Sequence, residues 1–330
     1  MAHRWSGAGF VAYGGARVIG GAEAPIVTTE YRHPPLRPAI GVTVGVIDTG
    51  IVLDGDGRPP SWFGHDHLSY CRFEDEDELT ADGSRRAPAD GHGTFVAGVV
   101  LREAPSARVR MWGVLAKERV PSGYAGMTNR DDTAVAAAVG ALAINRDVRV
   151  VNLSFGGGVW LEDEPPQALQ RALARLVEQR PDVAVVAAAG NQGGEAKVWP
   201  AAFADVISVG AVDETSPVAE GGTPPPASFS NTGGWVTAFA SGVNILGPLP
   251  ESDRHDGWAR WSGTSFAAAV VSGRIAQVAI EEGLSGTEAW AHLRQTAPRL
   301  PSSDAVWVRS VDSAPFVPQL FADAADNPSA

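Results

Sequence analysis

A single cysteine, Cys71, stands among 330 residues, so no disulfide can form within the chain, a scarcity that fits a reducing compartment. No apolar run approaches the ~18 residues of a membrane span; the longest, such as Val183 to Ala189, are strand-length. Met1 to Gly15 lacks the continuous apolar stretch of a secretory signal. The expectation is a cytoplasmic protein with no membrane partner. Basic charge is also short. A net charge of −12 leaves no cationic excess to displace counterions from phosphates, which excludes a nucleic-acid partner. No Gly-x-Gly-x-x-Gly follows the first strand-like run, which argues against a dinucleotide-binding enzyme.

The composition is that of a packed globule, with 44% hydrophobic residues, and the length suits one large α/β domain. Residues 1–39 are rich in glycine and then proline, and read as an irregular arm. From Val42 the chain alternates. Strands are expected over Val42–Ile47, Val109–Leu115, Val148–Leu153, Val183–Ala188, Val206–Val212 and Phe239–Leu246. Helices are expected from near His92, over Asp131–Asn145, Pro166–Gln179, Thr264–Glu281 and Gly286–Thr296. Such alternation predicts a mostly parallel central sheet with helices on both faces. The main domain is assigned to 40–312, and 313–330 is assigned to a loose, proline- and alanine-rich tail.

Three short segments carry chemistry. Ser265 sits in Gly263-Thr264-Ser265-Phe266-Ala267-Ala268-Ala269, where small residues leave room above a hydroxyl at the start of a helix. Asp48 closes the apolar run in Val46-Ile47-Asp48-Thr49-Gly50, and His92 lies in Gly91-His92-Gly93-Thr94. An acid, an imidazole and a hydroxyl are the groups that activate a serine. Their order along the chain, Asp then His then Ser, is that of subtilisin.

On these motifs the chain resembles the subtilisin-like (subtilase) serine peptidases over roughly residues 40–282. The resemblance implies the three-layer subtilisin-like α/β fold and a serine endopeptidase working through an acyl-enzyme on protein or peptide substrates. Ser265 would be the nucleophile, His92 the base that returns the proton, and Asp48 the group that orients the imidazole. Asn191, in Ala189-Gly190-Asn191, would complete an oxyanion hole with the Ser265 N–H. Ser154-Phe155-Gly156-Gly157-Gly158 resembles the family's substrate-pairing segment, which adds the peptide as a strand. Leu115 would wall the opposite side. Ala189 and Gly190 would line the first pocket over Val198, favouring an apolar residue of modest size before the scissile bond.

No cofactor is required for this chemistry, and no residue is assigned as a metal ligand. The resemblance admits a structural calcium ion, and the run Glu74-Asp75-Glu76-Asp77-Glu78 supplies oxygen ligands at the right density, although such a run is more often a solvated loop. Asp54-Gly55-Asp56-Gly57 reads as a turn and His65-Asp66-His67-Leu68 as structural. Two departures from the family stand out. Phe95 replaces a second histidine. Ala269 replaces a proline in the nucleophile helix, which admits a peptide ligase or macrocyclase on the same triad as an alternative. A non-catalytic peptide-binding module is the other alternative, with four competent residue types against it. A regulatory partner is left unspecified.

Overall fold

The computed structural model describes residues 26–27, 35–51, 53, 59–60, 62–64, 66–72, 91–115, 129–156, 165–216, 222–248, 257–301 and 303–311. Most of the expected arm, the acidic run Glu74–Glu78, the segment Asp54–Gly57, His65, Gly157, Gly158, Trp160 and the tail 313–330 lie outside the described residues.

The strands, in chain order, are β1 (Ile26–Val27), β2 (Thr43–Asp48), β3 (Leu68–Arg72), β4 (Arg108–Gly113), β5 (Val148–Leu153), β6 (Ala184–Ala188), β7 (Ile207–Val212), β8 (Ala238–Ser241), β9 (Ile245–Pro248), β10 (Trp258–Trp261) and β11 (Val306–Val308). The helices are α1 (His92–Glu103), α2 (Asn129–Ala143), α3 (Gln167–Gln179), α4 (Thr264–Glu282) and α5 (Gly286–Thr296). Eight strands form one sheet in the order β11-β8-β7-β6-β5-β2-β4-β3, and every pair in it is parallel. A separate antiparallel sheet runs β1-β10-β9. The mostly parallel sheet expected from the alternation is present.

Both faces of the large sheet are covered, and the strand sequences show why. Along β6, Ala184, Val186 and Ala188 join one apolar cluster while Val185 and Ala187 join another. Val44 and Val46 of β2 join the first and Ile47 the second. A period of two with apolar residues on both sides is what a doubly covered strand requires. The first cluster takes in α1, α4 and α5, through residues such as Val96, Val100, Phe266, Ile275 and Leu293. The second takes in α2 and α3 through Val135, Leu142, Leu169, Leu173 and Leu176. Each such side chain withdrawn from water contributes about 1.5–3 kcal/mol.

Strand β2 is the switch point. It lies between β4 and β5, so the chain leaves it toward one edge of the sheet and later returns on its other side. Connections diverge at the carboxyl end of such a strand and leave a crevice there. Asp48 is its last residue.

One expected strand is corrected. Phe239–Leu246 is two strands, β8 and β9, in different sheets, separated by Gly242 to Asn244. Asn244 has φ 56°, and a Cβ on Gly242 would stand 2.4 Å from that of Ala211. The chain turns there because the backbone packs against β7 and takes a left-handed residue that an extended run cannot contain. Strands β1, β3, β10 and β11 were not expected from the sequence; β1, in the segment read as an irregular arm, is held by pairing with β10.

The helix pair α1 and α4 crosses closely. A Cβ on Gly273 would lie 2.5 Å from Glu103 Cβ and 2.8 Å from the Val100 carbonyl. Glu103 itself is fully buried. Its carboxylate accepts from the Ser310 hydroxyl and, at 2.9 Å, from the Val311 N–H, fastening the end of the described chain to α1. Burial pushes its pKa up, partly offset by Arg102, by those two donors and by Arg274. A carboxyl whose folded pKa is raised adds most stability below its unfolded pKa and loses it as pH rises through the folded value. Thermal melts from pH 4 to 8 should therefore show a loss of stability in wild type that is smaller in Glu103→Gln. Equal pH dependence of the two proteins would contradict this.

Candidate active site

The site starts at the end of β2. The His92 Nδ1 lies 2.8 Å from Asp48 Oδ1, and both residues are essentially excluded from water, at 1% and 0% exposure. The same Asp48 oxygen accepts from the Thr49 N–H at 2.7 Å, and the Thr49 hydroxyl accepts from the Gly93 N–H at 3.0 Å. A backbone donor and a ring donor thus hold one carboxylate oxygen, the arrangement that fixes an imidazole tautomer with Nδ1 protonated. The other ring nitrogen, Nε2, is buried and has no hydrogen-bond partner among the described residues.

The glycines of the histidine segment explain how α1 comes this close. A Cβ on Gly93 would stand 2.4 Å from the Gly50 carbonyl oxygen and 3.2 Å from Asp48 Oδ1. Gly91, at φ 86°, turns the chain into the helix in the left-handed conformation that glycine adopts freely. The His92 ring is walled by aromatics. Trp261 meets it edge-on at 5.6 Å and Phe266 at 5.4 Å. Phe95 packs behind them, 4.6 Å from Phe266, so the residue that replaces a histidine fills space in the core.

Helix α4 carries Ser265 in its first turn, next in sequence to Phe266, whose ring lies 5.4 Å from that of His92. The Ser265 hydroxyl donates to the Ser154 carbonyl at 3.0 Å. The Ser154 hydroxyl lies 2.8 Å from both the Ser265 carbonyl and Asn152 Oδ1, and Asn152 Nδ2 donates to Ser272 Oγ at 3.0 Å. The end of β5 and the start of α4 are thereby tied together through buried polar groups. As a first-turn residue, Ser265 has an N–H with no intrahelical acceptor.

Asn191 follows β6. Its Oδ1 accepts from the Thr264 N–H at 2.9 Å and the Thr264 hydroxyl at 2.8 Å. A backbone N–H can only donate, so this contact identifies the oxygen end and leaves Nδ2 as the donor end of the amide. The Thr264 hydroxyl in turn accepts from the Gly190 N–H at 3.1 Å. Gly190 has φ 102°.

The expected substrate-binding residues divide in two. Ser154 and Gly156 lie where β5 ends, and Gly190 where the turn after β6 begins. Phe155 is buried in the α2–α3 cluster, and Ala189 in a third cluster with Val212, Val236 and Phe239. Their side chains are core, so what these two residues offer a peptide is backbone. Leu115 follows β4 and also packs into the α2–α3 cluster, 9% exposed. Val198 lies between Gly156 and Gly190: Cβ atoms on those glycines would stand 2.4 and 3.0 Å from its two methyls. His67 is held at 2.7 Å from the Arg37 carbonyl, in keeping with a structural residue. Among the described residues no cluster of His, Cys, Asp and Glu could hold a metal ion, and no helix is long and apolar enough to cross a membrane.

Sequence reasoning did not single out Thr49, Thr264, Asn152 or Asn231. The two threonines sit inside the Asp48 and Ser265 segments and could have been read there as hydrogen-bonding partners. Asn152 and Asn231 carry no local signal, since what they touch is distant in sequence.

The sequence model of the subtilase family matches residues 39–315. The chain belongs to the subtilase family of serine peptidases. It is 30% identical over 280 residues to a thermophilic serine proteinase of Bacillus sp. (strain AK1), covering 82% of this chain and 60% of that protein. Subtilisin BL of Lederbergia lenta is 30% identical over 277 residues, with 80% of this chain and 86% of the relative covered. Among solved structures, that titled prenylagaramide maturation protease PagA superposes with a TM-score of 0.57 at 25% identity, over 81% of this chain and 86% of its own.

In this subtilase the close approach of α1 to β2 leaves no room at Gly93. Gly93→Ala should destabilise the fold by about 1–3 kcal/mol in a denaturant titration, with loss of the Asp48–His92 contact. Unchanged stability would mean that the helix can shift without penalty.

Proposed function

We propose that the protein is a serine endopeptidase in which Ser265, His92, Asp48 and Asn191 perform acyl transfer to water. The observation that carries this reading is the buried 2.8 Å contact between Asp48 and His92 Nδ1, which leaves Nε2, without a partner among the described residues, as the ring nitrogen available to take a proton. The Ser265 hydroxyl donates to the Ser154 carbonyl and in this reading leaves that acceptor when the substrate binds. On attack the hydroxyl proton passes to His92 Nε2, and Asp48 stabilises the imidazolium. The scissile carbonyl oxygen becomes an oxyanion held by Asn191 Nδ2 and the Ser265 N–H, donors aimed before the reaction begins. His92 then gives its proton to the leaving amine. Water repeats the sequence on the acyl-enzyme.

In the same reading the pocket before the scissile bond is small. The Val198 methyls occupy the space between Gly156 and Gly190, the two backbones that would flank a substrate side chain. A residue of alanine size would then be accepted there more readily than one with a phenyl ring. A narrow pocket suits a protease selective for particular peptides, a substrate class also suggested by the likeness to a maturation protease. Whether the acyl group goes to water or to an amine is read from product mass, since hydrolysis adds water and cyclisation does not.

A fluorophosphonate probe should label wild type at Ser265 and leave Ser265→Ala unlabelled, with turnover reduced about 10⁶-fold, the loss known for subtilisin's serine. Wild type that stays unlabelled while another subtilase reacts would end the hydrolase reading. Val198→Gly should raise kcat/KM about 10- to 100-fold for a peptide with phenylalanine before the scissile bond, relative to alanine. A ratio that does not move would show that Val198 is not the floor of that pocket.

A further inference from the structure

The donor assigned to Asn191 depends on an exposed turn. After β6 the chain runs through Gly190, Asn191 and Gln192 into residues 192–197, which are largely exposed, so the turn has little apolar packing to hold it. Two sets of contacts grip Asn191 from different sides. Thr264 grips its side-chain oxygen. The backbone on either side of it is gripped by one other residue, Asn231.

Asn231 lies 39 residues from Gln192 in sequence and is fully buried. Its N–H donates to the Gly190 carbonyl at 2.9 Å. Its Oδ1 accepts from the Gln192 N–H at 2.9 Å, and its Nδ2 donates to Gln192 Oε1 at 3.1 Å and to the Ala196 carbonyl at 3.3 Å. Because the Gln192 N–H is a donor only, the orientation of the Asn231 amide is determined. The clamp excludes a side chain at Gly190, where a Cβ would lie 2.9 Å from Asn231 Nδ2. Asn231 is itself anchored: the Ser230 hydroxyl donates to its carbonyl at 3.0 Å and accepts from the Ala211 N–H of β7 at 2.9 Å. The turn's reference frame is thus the large sheet.

We propose that Asn231 is a positioning residue for catalysis, holding the Gly190–Gln192 turn so that Asn191 Nδ2 stands where the oxyanion forms. The proposal rests on the reading of Asn191 as an oxyanion donor. Other contacts between these segments, Gly193 N–H to the Phe229 carbonyl at 2.8 Å and Thr232 N–H to the Gly194 carbonyl at 2.9 Å, are backbone to backbone. They survive substitution of the Asn231 side chain and hold the loop as a whole. What the side chain adds is confined to residues 192 and 196, and so to the angle at which the turn leaves β6. A donor displaced by a fraction of an ångström still permits substrate binding but stabilises the transition state less.

A double-mutant cycle on the full chain separates this role from general support of the fold. Turnover of a peptide p-nitroanilide with alanine before the scissile bond is measured for wild type, Asn231→Ala, Asn191→Ala and the double variant. Rates are scaled to active sites titrated with a fluorophosphonate. Asn231→Ala should lower kcat about 10- to 100-fold with KM little changed, and the same substitution in the Asn191→Ala background should change kcat less than about 2-fold. Asn231→Asp, which keeps the acceptor for the Gln192 N–H and lacks the Nδ2 donors, should fall between. Equal losses in both backgrounds, a loss in KM alone, or failure of both the Ala and Asp variants to give titratable enzyme would overturn the proposal. Failure of the underlying reading shows separately, as an Asn191→Ala variant with unchanged kcat.

Discussion

The short contact between the Asp48 carboxylate and His92 Nδ1 is the constraint on which the other parts of this subtilase depend. Both groups are buried, and the contact gives Asp48 Oδ1 and His92 Nδ1 the partner that water does not supply there. Holding them together requires α1 to begin almost on top of the end of β2. Gly93 allows that approach and Gly91 makes the turn into the helix. Once α1 is set there, α4 can cross it closely only through Gly273, which brings the first turn of α4, with Ser265, to the same rim of the sheet. Glycines at three places therefore control how near three elements can come.

The parallel sheet supplies the common frame. Asp48, Ser154 and Asn191 lie at or just beyond the carboxyl ends of neighbouring strands β2, β5 and β6, and the strands are locked in register by ladders buried on both faces. Neighbouring strand ends stand about 4.8 Å apart, so three distant stretches of sequence share one rim of the sheet. Helix α4, fully buried through most of its first half, spans the strands behind them. Its alanines keep it close to the sheet. The hydroxyl and amide groups of Ser154, Asn152 and Ser272 join α4 to β5 without leaving polar atoms unpaired at that junction.

Where the chain is regular, the sequence was readable. Periods of two in β2 and β6, helical segments from His92 and Thr264, and the motifs around Asp48, His92, Ser265 and Asn191 all lay in contiguous residues. Short pieces were missed for a physical reason. β3 and β11 are edge strands and β10 belongs to a small antiparallel sheet; each is stabilised by pairing with a partner far away in sequence, and its own residues hardly announce it. Phe239–Leu246 looked continuous because its apolar content is continuous, whereas Gly242 and Asn244 bend it between two sheets. The side chains of Phe155 and Ala189 face core clusters, a placement their own short segments do not announce, so what they can offer a peptide is backbone.

By itself the sequence determined which chemical groups are available and on which kinds of element they ride, because those properties are local: residue type, motif spacing and hydrophobic period. Only the tertiary structure decided which groups touch. That Asp48 reaches His92, that the Ser265 hydroxyl rests on the Ser154 carbonyl, that Val198 stands between Gly156 and Gly190, and that Asn231 grips the turn beneath Asn191 all depend on distances between segments dozens of residues apart. Such distances are set by how helices and strands pack, and packing is a property of the whole chain.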